Sequence, residues 1–168
     1  MQFLPIAVGP GALVRLKSNV AARQLPLSPM VSKRHLCVSA MEIVPLRIAI
    51  LDDDQSVRLA ISRLLKACHL ETETFANCKE LLNFLKRDVL DCLVLDLQMP
   101  GMNGIDVMRH LGQRGVVLPV VIMTAHDGPG TRETCLSAGA LGYVRKPLDV
   151  ETLLHAIREA MTASRPTL

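Results

Sequence analysis

Three short apolar runs, at residues 48–51, 92–95 and 120–123, each stop abruptly at a polar residue. Ile48-Ala49-Ile50-Leu51 meets Asp52-Asp53-Asp54, Cys92-Leu93-Val94-Leu95 meets Asp96, and Val120-Val121-Ile122-Met123 meets Thr124. A fourth stretch, Gly142-Tyr143-Val144-Arg145, meets Lys146-Pro147. Apolar runs of this length suit strands buried on both faces of a sheet. Packing alone does not ask for carboxylates, a hydroxyl and an ammonium at such ends, so they are candidates for chemistry.

Between the runs the period changes. Val57, Ile61, Leu64, Leu65 and Cys68 recur along one helix face. Glu71-Thr72-Glu73-Thr74-Phe75 alternates as an edge strand does. Asn77, with Glu80 three residues later, forms a variant capping box and opens a helix with Leu81, Leu82 and Leu85 inward. Ile105, Met108 and Leu111 mark a third helix, and residues 132–138 a fourth. Asp149 can cap a fifth, whose Leu153, Ile157, Ala160 and Met161 face the core. Five strands alternating with five helices predict an α/β fold, a doubly wound five-stranded parallel sheet, because parallel neighbours need crossover connections. Ligands of such sheets bind beyond the carboxyl ends of the strands, where strand order reverses. The polar residues above fall at those ends.

Residues 1–45 read differently. Pro5, Pro10, Pro26, Pro29 and Pro45 interrupt them and no period persists. Gly9-Pro10-Gly11 lacks the longer glycine pattern of a phosphate loop. The expectation is a disordered extension, or sequence upstream of a natural start at Met41, followed by one domain over 46–163 and a tail at 164–168. Five of the nineteen basic residues lie in 1–41 with no acid, which leaves fourteen basic against sixteen acidic from 42 onward. The domain is therefore mildly acidic and, with 2% aromatics, is expected to bind no nucleic acid directly. The five cysteines are odd in number and contain no Cys-x-x-Cys pair, so they are expected to be free thiols in a reducing cytoplasm. No apolar run approaches the roughly 18 residues needed to span a bilayer, so no membrane is expected.

Over residues 46–163 these strings resemble the receiver domain of bacterial two-component response regulators. Leu51-Asp52-Asp53-Asp54 is similar to the family's acidic pair after its first strand. Leu95-Asp96 with Met99-Pro100-Gly101-Met102-Asn103-Gly104 is similar to its phosphorylation-site signature, and Met123-Thr124-Ala125 and Lys146-Pro147 to its hydroxyl and lysine positions. The string from Asp96 to Gly104 and the spacing of Thr124 are closest to the FixJ-like branch. The resemblance implies a flavodoxin/CheY-like (βα)5 sheet and a phosphorylatable switch.

On that resemblance Asp96 is the phosphoacceptor and Mg²⁺ the cofactor. Asp53, Asp96 and the backbone carbonyl of Gln98 are the implied ligands, with Asp52 a ligand through water and Asp54 only a helix cap. A carboxylate attacking a multiply charged phosphoryl group needs such a neutraliser, and carboxylates this close should repel when it is absent. Lys146 is implied to pair with a phosphoryl oxygen, directed by a cis peptide to Pro147, and Thr124 to hydrogen-bond the acyl phosphate. Thr124 and Tyr143 are the implied switch residues. The implied donor is a phosphohistidine on a sensor histidine kinase or phosphotransfer protein, and the readout face is 130–163, open to an unknown output protein or a phosphorylation-dependent homodimer. Because the chain would modify itself and then lose the group by hydrolysis, it is not expected to be an enzyme in the ordinary sense. Gln98 and His126 should border the line of water attack, with moderate to slow hydrolysis. His69, His110 and His155 are expected on helices and solvated. A second reading is a receiver fragment of a FixJ-like transcriptional regulator. A haloacid-dehalogenase-type phosphatase fails, because Gln98 stands where that chemistry wants a second Asp.

Overall fold

The structure, a computed structural model, describes the backbone of residues 4–8, 12–18 and 41–164, with side chains from 44 to 164. β1 (Leu4–Val8), β2 (Ala12–Ser18) and β3 (Met41–Pro45) pair as a small antiparallel sheet in that order. All three fall within the 1–45 segment that the sequence sets apart from the domain. Gly9-Pro10-Gly11, Cys37 and the rest of that segment, and residues 165–168, lie outside the described residues.

The elements that follow are β4 (Arg47–Leu51), α1 (Gln55–Ala67), β5 (Glu71–Phe75), α2 (Cys78–Leu85) and β6 (Cys92–Asp96). Then come α3 (Gly104–Gln113), β7 (Val120–Thr124), α4 (Thr131–Ser137), β8 (Gly142–Arg145) and α5 (Val150–Ala163). The five strands β4 to β8 are parallel in the order β5-β4-β6-β7-β8, which is the doubly wound sheet predicted. The chain leaves β4 first for β5 at the edge and then crosses to β6 on the other side. The strand order therefore reverses between β4 and β6, and their carboxyl ends border the crevice.

Alternation along the strands sorts the apolar residues into two cores. Leu51, Leu93, Leu95 and Ile122 pack with Leu81 of α2 and with Val107 and Leu111 of α3. Ile48, Ile50, Val94, Val121 and Met123 pack on the opposite face with Ile61 and Leu65 of α1 and Leu153 and Ile157 of α5. Burying one such side chain is worth about 2 kcal/mol. The central strands are thus anchored from both sides, and their ends can hold polar groups that packing would not select.

Four helices open on a side-chain cap: Asp54 for α1, Asn77 for α2, Asn103 for α3 and Asp149 for α5. The seven-residue α4 differs, since it starts from Gly130 at φ 78° with no side-chain cap. His69, expected on a helix, instead lies in the turn after α1 at φ 61°. The reason is that α1 ends in a C-cap at Cys68, which leaves the next residue to take the left-handed conformation that ends many helices. Cys68, Cys78, Cys92 and Cys135 are free thiols. No helix among the described residues is long and apolar enough to cross a membrane.

Candidate functional site

At the carboxyl end of β4 the chain must turn into α1, and the acids divide that work. Asp54 caps the helix, accepting from the amides of Ser56 at 2.7 Å and Val57 at 3.4 Å. Asp52 accepts from the Asp54 amide at 2.8 Å. From the first turn of α1, Arg58 donates to the backbone carbonyls of Asp52 at 2.7 Å and Asp53 at 2.9 Å. The loop is fixed at both ends, while the exposed carboxylate of Asp53 has no hydrogen-bond or ion-pair partner among the described residues. Asp52 is 1% exposed and Asp96, at the end of the neighbouring β6, is 4% exposed.

Asp52, Asp53 and Asp96 each bring a carboxylate oxygen within 4.8 Å of the others. Lys146, carried in from the end of β8, stands between two of them: Nζ donates to Asp52 Oδ2 at 2.7 Å and to Asp96 Oδ1 at 2.8 Å. The Lys146–Pro147 peptide is cis. The repulsion expected among these acids is therefore largely offset by the protein's own ammonium. Burial pulls the Lys146 proton affinity down, but the hydrogen bonds it donates to Asp52 and Asp96 outweigh it and hold the ammonium's pKa above the usual lysine value. Burial pushes the Asp96 carboxyl above the ordinary carboxylate range; Lys146 pulls it down and Asp52 pushes it up. With three acids against one ammonium, the cluster keeps an excess of negative charge. Its oxygen-only donor set fits a hard divalent cation such as Mg²⁺, and the partnerless carboxylate of Asp53 is free to ligate one.

Asp96 Oδ2 accepts from the amide of Gln98 at 3.0 Å, so the carboxylate is held from both sides. Thr124, fully buried at the end of β7, turns its hydroxyl onto its own loop. Oγ1 donates to the His126 carbonyl at 2.9 Å and accepts from the His126 amide at 3.1 Å. The His126 ring meets Gln98, with Nδ1 2.8 Å from Oε1, and so joins the β6–α3 and β7–α4 loops. Beside this pair opens a cleft of about 840 Å³, lined by Asp53, Gln98, Met99, Pro100, His126 and Thr131 among others. Tyr143 is half-buried on the edge strand β8, and its hydroxyl donates to Asp127 at 2.8 Å.

The predicted side chains of Asp52, Asp53, Asp96 and Lys146 thus meet at one point, with Thr124 buried at the end of the next strand. Tyr143 is on the edge strand, held through Asp127, a residue with no signal of its own in the sequence. Asp127 sits three residues after Thr124 in a polar loop, where nothing local distinguishes it from a solvated acid. Arg58 was equally silent, although its place four residues after the cap of α1 aims it back at the loop. Gly104 has a steric role: a Cβ there would lie 2.7 Å from the backbone oxygen of Asp96. The first residue of α3 must be glycine for the helix to sit this close to the end of β6.

A family model described as the response regulator receiver domain matches residues 48–158, two thirds of the chain. The chain belongs to the response regulator receiver domain family. Response regulator protein TodT of Pseudomonas putida is 38% identical over 114 residues, which cover 68% of this chain and 50% of TodT. The chain spans about half the length of these first curated relatives. Among solved structures, a response regulator receiver protein from Burkholderia phymatum is 39% identical with a TM-score of 0.62, covering 70% of this chain and 95% of that one. The structure of FixJ-N has a TM-score of 0.66 at 25% identity, covering 73% of this chain and 98% of that one. The family expectation drawn from the sequence holds on this match; receiver domains in general bind Mg²⁺ at an acidic cluster and interact with histidine kinases and output domains.

Proposed function

We propose that Asp96 accepts a phosphoryl group from a phosphohistidine on a sensor histidine kinase or phosphotransfer protein, with Mg²⁺, and that the added charge switches the 130–163 face toward a partner. The observation that carries this reading is Lys146, whose Nζ lies 2.7 Å from Asp52 and 2.8 Å from Asp96 while Asp53 keeps an unpaired carboxylate. A buried acid clamped by an ammonium, with two more acids beside it, is poorly explained by stability alone. Bound Mg²⁺ supplies charge neutralisation for the phosphoryl oxygens, and Asp53, Asp96 and the Gln98 carbonyl would hold it, with Asp52 acting through water.

The chain's own groups do the rest. Lys146 and the Gln98 amide orient the Asp96 carboxylate for in-line attack on phosphorus. The new P–O bond forms as the P–N bond breaks, and the imidazole of the donor leaves with that electron pair. Lys146 then exchanges a carboxylate oxygen for a phosphoryl oxygen. The acyl phosphate carries about two negative charges where the carboxylate carried one, which draws the Thr124 hydroxyl away from its own loop. Helix α4, the one helix described without a side-chain N-cap, lies next along the chain and repacks at least cost. Later attack by water on phosphorus breaks the P–O bond to Asp96 and returns the carboxylate. The chain is therefore a self-modifying phosphoacceptor with autophosphatase activity, acting in the cytoplasm, and its modified face can serve an output protein or a second copy.

A second reading is favoured by one finding, that the chain spans about half of TodT. In it the same receiver forms part of a longer transcriptional regulator, and its output is a DNA-binding domain. The deciding experiment for the main reading is to treat residues 41–168 with Mg²⁺ and a small acyl-phosphate donor and weigh the product. One added phosphoryl group, lost in Asp96→Asn, is the expected result. No gain in mass, or equal gain in the variant, overturns it.

A further inference from the structure

The chain contains one tyrosine, and that tyrosine ends on a carboxylate. The Tyr143 hydroxyl donates to Asp127 Oδ1 at 2.8 Å, while Asp127 Oδ2 is 3.4 Å from Nε of Arg145. Asp127 follows directly on His126, the residue whose backbone amide and carbonyl are both bound by the Thr124 hydroxyl. One short loop is thus tied to Thr124 on one side and to Tyr143 on the other.

Register makes the link direct. Ile122 pairs with Tyr143 and Thr124 with Arg145, so these four side chains share one face of the sheet. The Tyr143 ring packs against the core on that face, and its hydroxyl is what reaches out to the loop. Beyond Asp127 the loop runs Gly128-Pro129-Gly130 into α4, which opens without a side-chain N-cap.

We propose that Asp127 is a positioning residue that holds Tyr143 in its outward place and thereby sets how readily the phosphorylated domain switches. This rests on the phosphoacceptor reading above and adds its regulation. When the Thr124 hydroxyl turns from the His126 backbone to a phosphoryl oxygen, residue 126 loses two hydrogen bonds. Asp127 moves with its neighbour and releases the Tyr143 hydroxyl. The groups facing Asp127 are Tyr143 and Arg145 at contact, with Arg132 lining the same cleft. Arg145 is 69% exposed and can follow the carboxylate, whereas the tyrosine ring cannot do so and stay packed. Burial, with the Asp127 carboxylate adding to it, also holds the Tyr143 phenol proton, whose pKa is pushed up to about 12.

With one tyrosine and no tryptophan, tyrosine ring resonances and ultraviolet-excited emission report on residue 143 alone. The test uses the full chain with ¹³C-ring-labelled tyrosine as wild type, Asp127→Asn and Asp127→Glu, each with and without Mg²⁺ and a small acyl-phosphate donor. In Asp127→Asn without donor, the ring resonances should move part of the way toward those of phosphorylated wild type. Its labelling by the donor should be faster by about three- to tenfold, the scale of one lost charge-assisted hydrogen bond. Asp127→Glu, which keeps the carboxylate, should stay near wild type. Ring resonances of Asp127→Asn that superimpose on wild type in both states overturn the proposal. So does an equal shift in Asp127→Glu, which would mean a merely structural loop residue. Failure of wild type to take up phosphate would defeat the phosphoacceptor reading instead, and the donor-free comparison would still decide whether Asp127 holds Tyr143.

Discussion

The ammonium of Lys146 lies 2.8 Å from Asp96 Oδ1 and 2.7 Å from Asp52 Oδ2, although Lys146 is 94 residues from Asp52 in sequence. Three strand ends, those of β4, β6 and the edge strand β8, are needed to assemble that contact. It is also where stability and function are most tightly linked, since the acids outnumber the cation and their carboxylates are mostly buried.

Replacing Lys146 by Ala leaves Asp52 and Asp96 buried with no ammonium between them. Breaking a buried pair from one side costs about 3 kcal/mol, which lowers the thermal midpoint of a domain this size by roughly 10 °C. Saturating Mg²⁺ should restore much of that loss by binding the folded state. Thermal unfolding of the variant at zero and saturating Mg²⁺ measures both effects. A midpoint equal to wild type in both conditions would show that the ammonium does not compensate the acids.

Asp96→Asn is expected to stabilise the protein at neutral pH. Burial raises the Asp96 pKa in the folded state, with Lys146 opposing and Asp52 reinforcing. A raised carboxyl pKa means that the folded protein binds this proton more tightly than the unfolded chain does. That contribution is complete below the unfolded value of about 3.9 and is lost as pH climbs through the raised folded value. At pH 7 the buried charge is therefore a cost, and the amide should gain about 1 kcal/mol. Unfolding midpoints followed from pH 7 to pH 3.5 should converge. A gap that widens toward acid would reverse the sign.

Gly104→Ala places a Cβ 2.7 Å from the Asp96 backbone oxygen, 3.1 Å from Leu97 Cα and 3.3 Å from Ile122 Cδ1. Two of those neighbours are backbone atoms, so α3 must shift away from β6 at a cost of about 2 kcal/mol. Gly112→Ala, on the same helix with nothing within 4 Å, should instead gain up to about 1 kcal/mol. Urea unfolding of the two variants provides the contrast, and Mg²⁺ titration of Gly104→Ala should give weaker binding because Asp96 moves with the strand end.

Gln98 and His126 touch across the mouth of the site, Oε1 to Nδ1 at 2.8 Å. If the pair screens the acyl phosphate, either alanine variant should speed its hydrolysis by about two- to tenfold. The double variant should add less than the two singles combined, by 0.5 kcal/mol or more in roughly additive free-energy terms. Rates of phosphoryl loss from the four proteins are the measurement. Unchanged rates would remove the screening role, and strictly additive ones would remove the coupling.

Much of this molecule was legible before any coordinates. The periods along 48–163 mark most of the strands and helices around the parallel sheet, because burial on one helix stripe or on both strand faces leaves a repeat that local sequence carries. Asp54, Asn77 and Asp149 announce their helices, since a cap acts within three residues of itself. The acids, hydroxyl and lysine at strand ends also stand out, because a polar residue closing an apolar run is visible in one dimension. What the sequence alone determined, then, was which segments form and which residues stand at their ends. Tertiary structure decided which of those ends meet and in what state: Lys146 bridging Asp52 and Asp96, Tyr143 held by Asp127, and Gly104 pressed against Asp96. Those contacts depend on strand order and register, set by the packing of both cores together, and no short-range preference encodes them.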